Sequence, residues 1–144
     1  MPIPDVILAP LVAALLGASI GAEREWRRHP GGLRSCALVA AASAVFARIA
    51  MQYGGTNPGA AFGAIASGIG FIGAGVILHR GSQVRGLSTA ATFWSVAAIG
   101  TAAGLLEFSM AGTLTLIVFF AHVALRPLSA WIERVAPPED PGPR

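Results

Sequence analysis

Five apolar stretches, each roughly 20 residues long, follow one another along this chain with only short polar links between them. They cover residues 3–22, 35–53, 60–78, 88–106 and 109–125. An α-helix of about 20 apolar residues spans the hydrocarbon core of a bilayer. Because lipid offers the backbone no hydrogen-bond partners, stretches of this length must be helical, and the alternating pattern of a membrane β-barrel is absent. The sequence therefore predicts an all-α, polytopic transmembrane helical bundle with about five spans.

The composition excludes most classes of soluble protein. Of the 144 residues, 54% are hydrophobic and only 12% are charged, which is about half the charged fraction of a soluble domain. A net charge of +3 would suit nucleic-acid binding in a soluble chain. Here the arginines fall between apolar stretches, where membrane topology explains them better. We therefore expect the lipid bilayer as a partner, together with another membrane protein or a second copy in a homo-oligomer, and no nucleic acid.

The positions of the arginines also predict the orientation in the membrane. Two links between apolar stretches carry them, the first and the third: Arg24, Arg27, Arg28, Arg34, Arg80 and Arg85. The second link has no charge, and the fourth has only Glu107. Since positively charged links stay on the cytoplasmic side, the N-terminus is expected outside and the C-terminus inside. The transmembrane domain is expected to occupy residues 1–135, and the proline-rich residues 136–144 to form a disordered tail.

Small residues recur at four-residue spacing in several of the predicted helices, which is typical of close helix packing. The expected helix-packing glycines are Gly17, Gly21, Gly63, Gly68, Gly70, Gly73, Gly100 and Gly104. Residues 68–73 also match the GxGxxG fingerprint of dinucleotide-binding proteins. That fingerprint needs a preceding strand and a later acid, which this sequence lacks, so packing is favoured over nucleotide binding or a glycine-lined substrate path.

The densest group of charges follows the first apolar stretch. If the first helix continues until Pro30 disfavours it, Glu23 and Arg27 form an i, i+4 pair. Two interpretations remain open: an anchor that holds Trp26 at the headgroup level, or a cytoplasmic polar cluster with a regulatory role. In the second interpretation Glu23 or Glu25 faces Arg34 or Arg85 in a buried ionic network. The candidate cluster comprises Glu23, Arg24, Glu25, Arg28, Arg34 and Arg85.

The sequence predicts neither a metal site nor a cofactor. No carboxylate lies in the middle of an apolar stretch, and Glu25 and His29 offer only two ligands beside three arginines. No nucleophile, base and orienting acid occur together, so we do not expect an enzyme. Arg48 and His122 lie near the ends of their stretches, and their side chains are expected to reach the membrane boundary.

Two parts of the chain resemble the MgtC/SapB family of bacterial inner-membrane proteins. Residues 17–34, GASIGAEREWRRHPGGLR, look like the family's acidic and basic loop that ends in Gly-Leu-Arg. The second part comprises GIGFIGAGVI at 68–77, VRGLSTAATFW at 84–94 and AAIG at 97–100. The resemblance covers about residues 17–125, the transmembrane domain of the family. The resemblance implies a protein with four or five spans. It also implies an association with growth at low Mg²⁺ and, in pathogens, with survival inside macrophages. Some members of the family act on other membrane proteins such as the ATP synthase.

The chain departs from the family pattern ahead of the second motif. Where the family often has Asp-Pro-x-Arg and a Gln, this sequence has Asn57, Pro58, Ala60 and Ala64. An acid, a base and an amide are thus missing near the third apolar stretch. We therefore predict an inner-membrane regulatory or interaction protein that contacts another membrane protein through its helices and serves adaptation to low magnesium. The alternative is a small-ion (Mg²⁺) transporter or transporter subunit, which a deep carboxylate would have favoured.

Overall fold

A computed structural model describes residues 3–54, 57–80 and 83–136 of the chain, which form five helices and one short hairpin. The helices are α1 (Ile3–Trp26), α2 (Leu33–Tyr53), α3 (Pro58–Val76), α4 (Leu87–Gly104) and α5 (Phe108–Val135). The strands β1 (Leu78–Arg80) and β2 (Gln83–Arg85) pair antiparallel between α3 and α4. The predicted all-α polytopic bundle is confirmed. The hairpin was not predicted, because three-residue strands are too short to show a pattern.

Four helices, α1, α2, α3 and α5, are long and apolar enough to cross a membrane. The remaining helix, α4, lies at the centre of the bundle and packs against all four of them. Because its neighbours cover the face that carries them, α4 tolerates hydroxyl side chains such as Thr89 and Thr92, both of which are buried. The predicted orientation stays a prediction, and residues 137–144 of the predicted tail lie outside the described residues.

Two helices end at residues with left-handed backbone conformation. Arg28 follows α1 with φ 57° and Leu106 follows α4 with φ 66°. After α1, the amide of Arg28 donates to the carbonyl of Glu25 and the amide of His29 donates to the carbonyl of Arg24, each at 2.9 Å. This is the Schellman arrangement, in which glycine is the usual left-handed residue. It ends α1 at Trp26, four residues before Pro30, and turns the chain towards α2.

Four of the predicted packing glycines lie where backbones touch. A methyl group at Gly17 would lie 2.6 Å from the carbonyl oxygen of Cys36, and one at Gly21 would lie 2.7 Å from Cα of Leu33. These contacts hold α1 against α2. Two further glycines hold α4 against α2, since methyl groups at Gly100 and Gly104 would collide with the carbonyl oxygens of Ala40 and Ala44. Glycine is required there because any side chain would separate the helices.

The predicted glycines of α3 behave differently. A methyl group at Gly73 would make ordinary contact with Cβ of Ala90 at 3.4 Å. At Gly63, Gly68 and Gly70 a methyl group would meet nothing within 4 Å. The expected helix contact at these three residues is therefore not formed within the described chain. The physical reason is that α3 packs on α4 through the face that carries Ile69 and Gly73, which leaves other faces of α3 open.

Candidate functional site

The side chain of Arg24 lies inside the bundle and is only 2% exposed. Its Nε donates to the carbonyl of Gly31 at 3.1 Å, and Nη2 donates to the carbonyl of Pro30 at 2.6 Å. On the other side, Nη1 donates to Oγ1 of Thr92 at 3.1 Å and Nη2 donates to Oγ1 of Thr89 at 2.8 Å. The guanidinium therefore joins the loop after α1 to the start of α4.

Local sequence explains this arrangement. Thr89 and Thr92 are three residues apart in α4, so both hydroxyls lie on one helix face. Arg24 follows Gly21 by three residues, so it lies on the face of α1 that packs inward. All four acceptors of Arg24 are neutral, and no carboxylate in the described part of the chain forms an ion pair with it. The sequence did not lead us to select Thr89 as a site residue. Its three-residue spacing from Thr92, which places both on one helix face, was the signal that could have identified it.

His122 brings α5 into the same group. Its Nε2 lies 3.0 Å from Oγ1 of Thr92, and its Nδ1 lies 3.8 Å from Oε2 of Glu23. Glu23 also forms an ion pair with Nε of Arg27 through its other oxygen. The Nδ1 atom of His122 is buried and has no hydrogen-bond partner among the described residues. The expectation that His122 reaches the membrane boundary stays a prediction, and α4 supplies its side chain with a partner inside the bundle.

The six residues of the candidate cluster do not form one ionic network. Glu23 pairs with Arg27 rather than with Arg34 or Arg85, and Glu25 accepts a hydrogen bond from the amide of Leu33 at 2.9 Å. The carboxylate of Glu25 thus lies at the N-terminus of α2, where the helix dipole favours a negative charge.

Arg28, Arg34 and Arg85 have exposed side chains and form no ion pair with a carboxylate of the described residues. The expected contact of these arginines with the two acids is therefore not found. The left-handed turn at Arg28 directs the chain away from α1, and Arg85 lies on the hairpin instead of against Glu23.

A polar cavity of about 270 Å³ opens where α1, α4 and α5 meet. It is lined by Glu23, Arg24, Arg27, His29, Ser88, Ala121, His122, Leu125, Arg126 and Ser129. Beside it lies a wider arginine cleft of about 520 Å³, lined by Trp26, Arg27, Arg28 and Arg126. Arg27 and Arg126 line both spaces, which makes them one continuous basic surface.

A second, apolar space lies on the opposite flank of the bundle. This α2/α3 groove has a volume of about 630 Å³. Its lining residues are Leu38, Val39, Ala42, Ser43, Phe46, Ile49, Ala50, Ala61, Ala64, Ile65, Gly68, Ile69 and Ile72. On the side of α3 that faces away from the groove lies a small-residue face formed by Gly63, Ser67, Gly70 and Ala74, all of which are exposed.

Among residues 3–54, 57–80 and 83–136, no group of three or more metal-ligating side chains is placed to hold a metal ion. Arg48, which was expected to reach the membrane boundary, is instead buried, and its Nη1 donates to the carbonyl of Gly104 at 3.3 Å. The cause is the end of α4, whose last carbonyls attract a cation.

Comparison with known proteins identifies the family. The chain matches the model of the MgtC family over residues 11–131. It is 51% identical over 120 residues to Protein MgtC of Salmonella typhimurium, and the match covers 83% of this chain and 52% of that protein. It is 42% identical over 122 residues to Protein MgtC of Brucella abortus, which covers 84% of this chain and 51% of that protein.

An uncharacterised protein of Synechocystis is also similar, with 43% identity over 129 residues that cover 89% of this chain and 55% of that protein. No solved structure matches the chain. The chain spans about half the length of the curated relatives it matches. The family match and these identities show that this multi-pass membrane chain belongs to the MgtC family.

Proposed function

We propose that this chain is a regulatory protein of the bacterial inner membrane that serves adaptation to low magnesium by binding a transmembrane helix of another membrane protein. The observation that carries the proposal is the small-residue face of α3, which no part of the described chain covers. Small residues let two helix backbones approach closely, and this is how helices recognise each other in lipid.

The exposure of α3 supports a contact with another protein. Only 11% of its membrane segment is buried within the bundle, compared with 39% of the corresponding segment of α2. At Gly63 and Gly70 the helix presents bare backbone. Flexible lipid chains pack less tightly than a second helix against such a flat surface, so a partner helix is the occupant with the larger gain in dispersion contacts.

The α2/α3 groove lies on the opposite side of α3 from the small-residue face and is a separate apolar surface. The dimensions of this groove also fit one helix. Its lining residues run from Leu38 to Ala50 in α2 and from Ala61 to Ile72 in α3. At 1.5 Å rise per residue, each wall is about 17 Å long, or roughly three helical turns. Ser43 is the one lining residue with a polar side chain. A space with this lining suits an apolar helix better than the continuous polar path that an ion requires.

Site-specific photocrosslinking in native membranes tests this proposal. A photoreactive residue replaces Gly70 in α3 or, as the matched control, Gly112 in α5, because a Cβ atom added at either position meets nothing within 4 Å. The proposal predicts a discrete adduct with a different membrane protein from position 70 and none from position 112. Two differently tagged copies of the chain distinguish this adduct from a homo-oligomer.

Three outcomes would overturn the proposal. They are an adduct with a second copy alone, an equal pattern from both positions, and no adduct from position 70. A separate assay addresses transport: Mg²⁺ flux into liposomes that contain only the purified chain would support the transporter alternative.

A further inference from the structure

We propose that the polar cavity and the arginine cleft together bind a phosphate group, either of an anionic phospholipid or of free phosphate. This site lies between α1, α4 and α5, away from the α2/α3 groove, and is independent of the proposed function. Three features of the site support phosphate binding: the charge of its lining, the hydrogen-bond donors that it presents and its place in the bundle.

The lining carries more positive than negative charge. Arg24, Arg27 and Arg126 line the polar cavity, and Arg28 lines the adjoining cleft. Among the described lining residues, Glu23 is the one carboxylate. Glu23 is already paired with Arg27. The buried charge of Arg24 meets only neutral acceptors. Because an unpaired charge is costly inside a protein, an anion in the cavity would stabilise this arrangement.

The donors suit a phosphate group. Guanidinium groups present planar, paired N–H donors that match phosphate oxygens. Two exposed ones reach the same cleft, Arg28 from the loop after α1 and Arg126 from α5. Ser88 and Ser129 add hydroxyl groups to the cavity wall. His122 contributes Nδ1, a buried nitrogen with no hydrogen-bond partner among the described residues. When the ring carries a proton on Nδ1, an oxygen of a bound phosphate would accept a hydrogen bond from it.

The position of the site favours a lipid as the source of the phosphate. Trp26, which is 90% exposed, stands at the end of α1 beside the arginine cleft, as expected of a residue at the headgroup level. Ala121 and Leu125 form an apolar part of the cavity wall. Basic pockets between transmembrane helices bind anionic headgroups in this way, with the acyl chains along the apolar wall.

The backbone at Arg28 is a further, independent indication. Its φ of 57° is a left-handed conformation that glycine adopts without strain and arginine does not. A strained residue at a helix end is a reason to look for a function of its side chain. Here that side chain reaches the arginine cleft. Leu106 has the same conformation after α4 and does not line either space, so it serves as the matched control.

The test uses the purified full chain in neutral detergent and three probes: dioctanoyl phosphatidylglycerol, dioctanoylglycerol, which lacks the phosphate, and inorganic phosphate. Binding is measured by titration and by the shift in melting temperature. We expect the phosphatidylglycerol to bind and the dioctanoylglycerol not to bind. Arg126→Gln should weaken binding about tenfold, because it removes a charge-assisted contact. Arg134→Gln, an exposed arginine of the same helix outside the cavity, should leave binding unchanged.

The glycine variants separate binding from stability. Arg28→Gly should raise the melting temperature of the unliganded protein and weaken binding, whereas Leu106→Gly should raise the melting temperature alone. Strong binding of phosphatidylglycerol that inorganic phosphate does not displace assigns the site to a lipid headgroup. Equal or stronger binding of inorganic phosphate assigns it to the free ion. No binding of either phosphate probe, or equal losses in Arg126→Gln and Arg134→Gln, would overturn the proposal.

Discussion

Nη1 of Arg24 in α1 donates a hydrogen bond to Oγ1 of Thr92 in α4 at 3.1 Å, across 68 positions of sequence. The same hydroxyl lies 3.0 Å from Nε2 of His122 in α5. One threonine therefore connects three helices at the end of the bundle that carries the polar cavity. Since polar groups buried in a membrane protein are stable only when they are paired, this hydroxyl fixes how α1 and α5 pack on α4.

The first prediction concerns this hydroxyl. Thr92→Val keeps the shape of the side chain but leaves one N–H of Arg24 and Nε2 of His122 without their partner. We expect a loss of stability of about 2 kcal/mol, the usual cost of unpaired buried polar groups. Thr101→Val in the same helix is the control, since within the described part of the chain that hydroxyl bonds only to the carbonyl of Ala97. Equal melting temperatures of the two purified variants in detergent would contradict the role of Thr92.

The second prediction concerns the contact between α2 and α4. Gly100→Ala places a methyl group against the carbonyl oxygen of Ala40, so the helices must separate. We expect a loss of a few kcal/mol, comparable to overpacking of a core. Gly112→Ala adds the same methyl group where nothing lies within 4 Å and should leave the melting temperature unchanged or slightly higher. Similar melting temperatures for both variants would show that the close approach is not needed.

Hydropathy was sufficient to predict the five helices, because only apolar helices of this length satisfy the backbone in lipid. Hydropathy underestimated the length of two of these helices. The first apolar stretch ends at residue 22 and the last at residue 125, yet α1 continues to Trp26 and α5 to Val135. These extensions contain charged residues, and hydropathy alone does not follow a helix through them.

The candidate site was only partly predictable. Spacing identified Gly17, Gly21, Gly100 and Gly104 as surfaces for close packing, but the same spacing in α3 gave no contact within the described chain. Periodicity defines a face of a helix and does not define which partner covers it. Arg24 was selected for its charge, whereas its partners are neutral hydroxyl and carbonyl groups, which a search for opposite charges overlooks.

The third prediction concerns the orientation in the membrane. Single cysteines replace Asn57, before α3, and Val84, in β2, in a Cys36→Ala background that removes the native thiol. Both positions are exposed. Because the arginine-bearing links are expected in the cytoplasm, a membrane-impermeant thiol reagent added to intact cells should label Asn57→Cys and not Val84→Cys. The reverse pattern of labelling would show that the orientation is inverted.

The most direct test of the regulatory proposal is growth at limiting Mg²⁺ of a strain that depends on this chain. The variants are Gly70→Leu, which fills the small-residue face of α3, and Gly112→Leu, which adds the same side chain to open surface of α5. Both should insert and accumulate like the wild type, as measured by quantitative blotting of membranes. The account predicts that Gly112→Leu restores growth and Gly70→Leu does not. Full restoration of growth by Gly70→Leu at normal protein levels would contradict it.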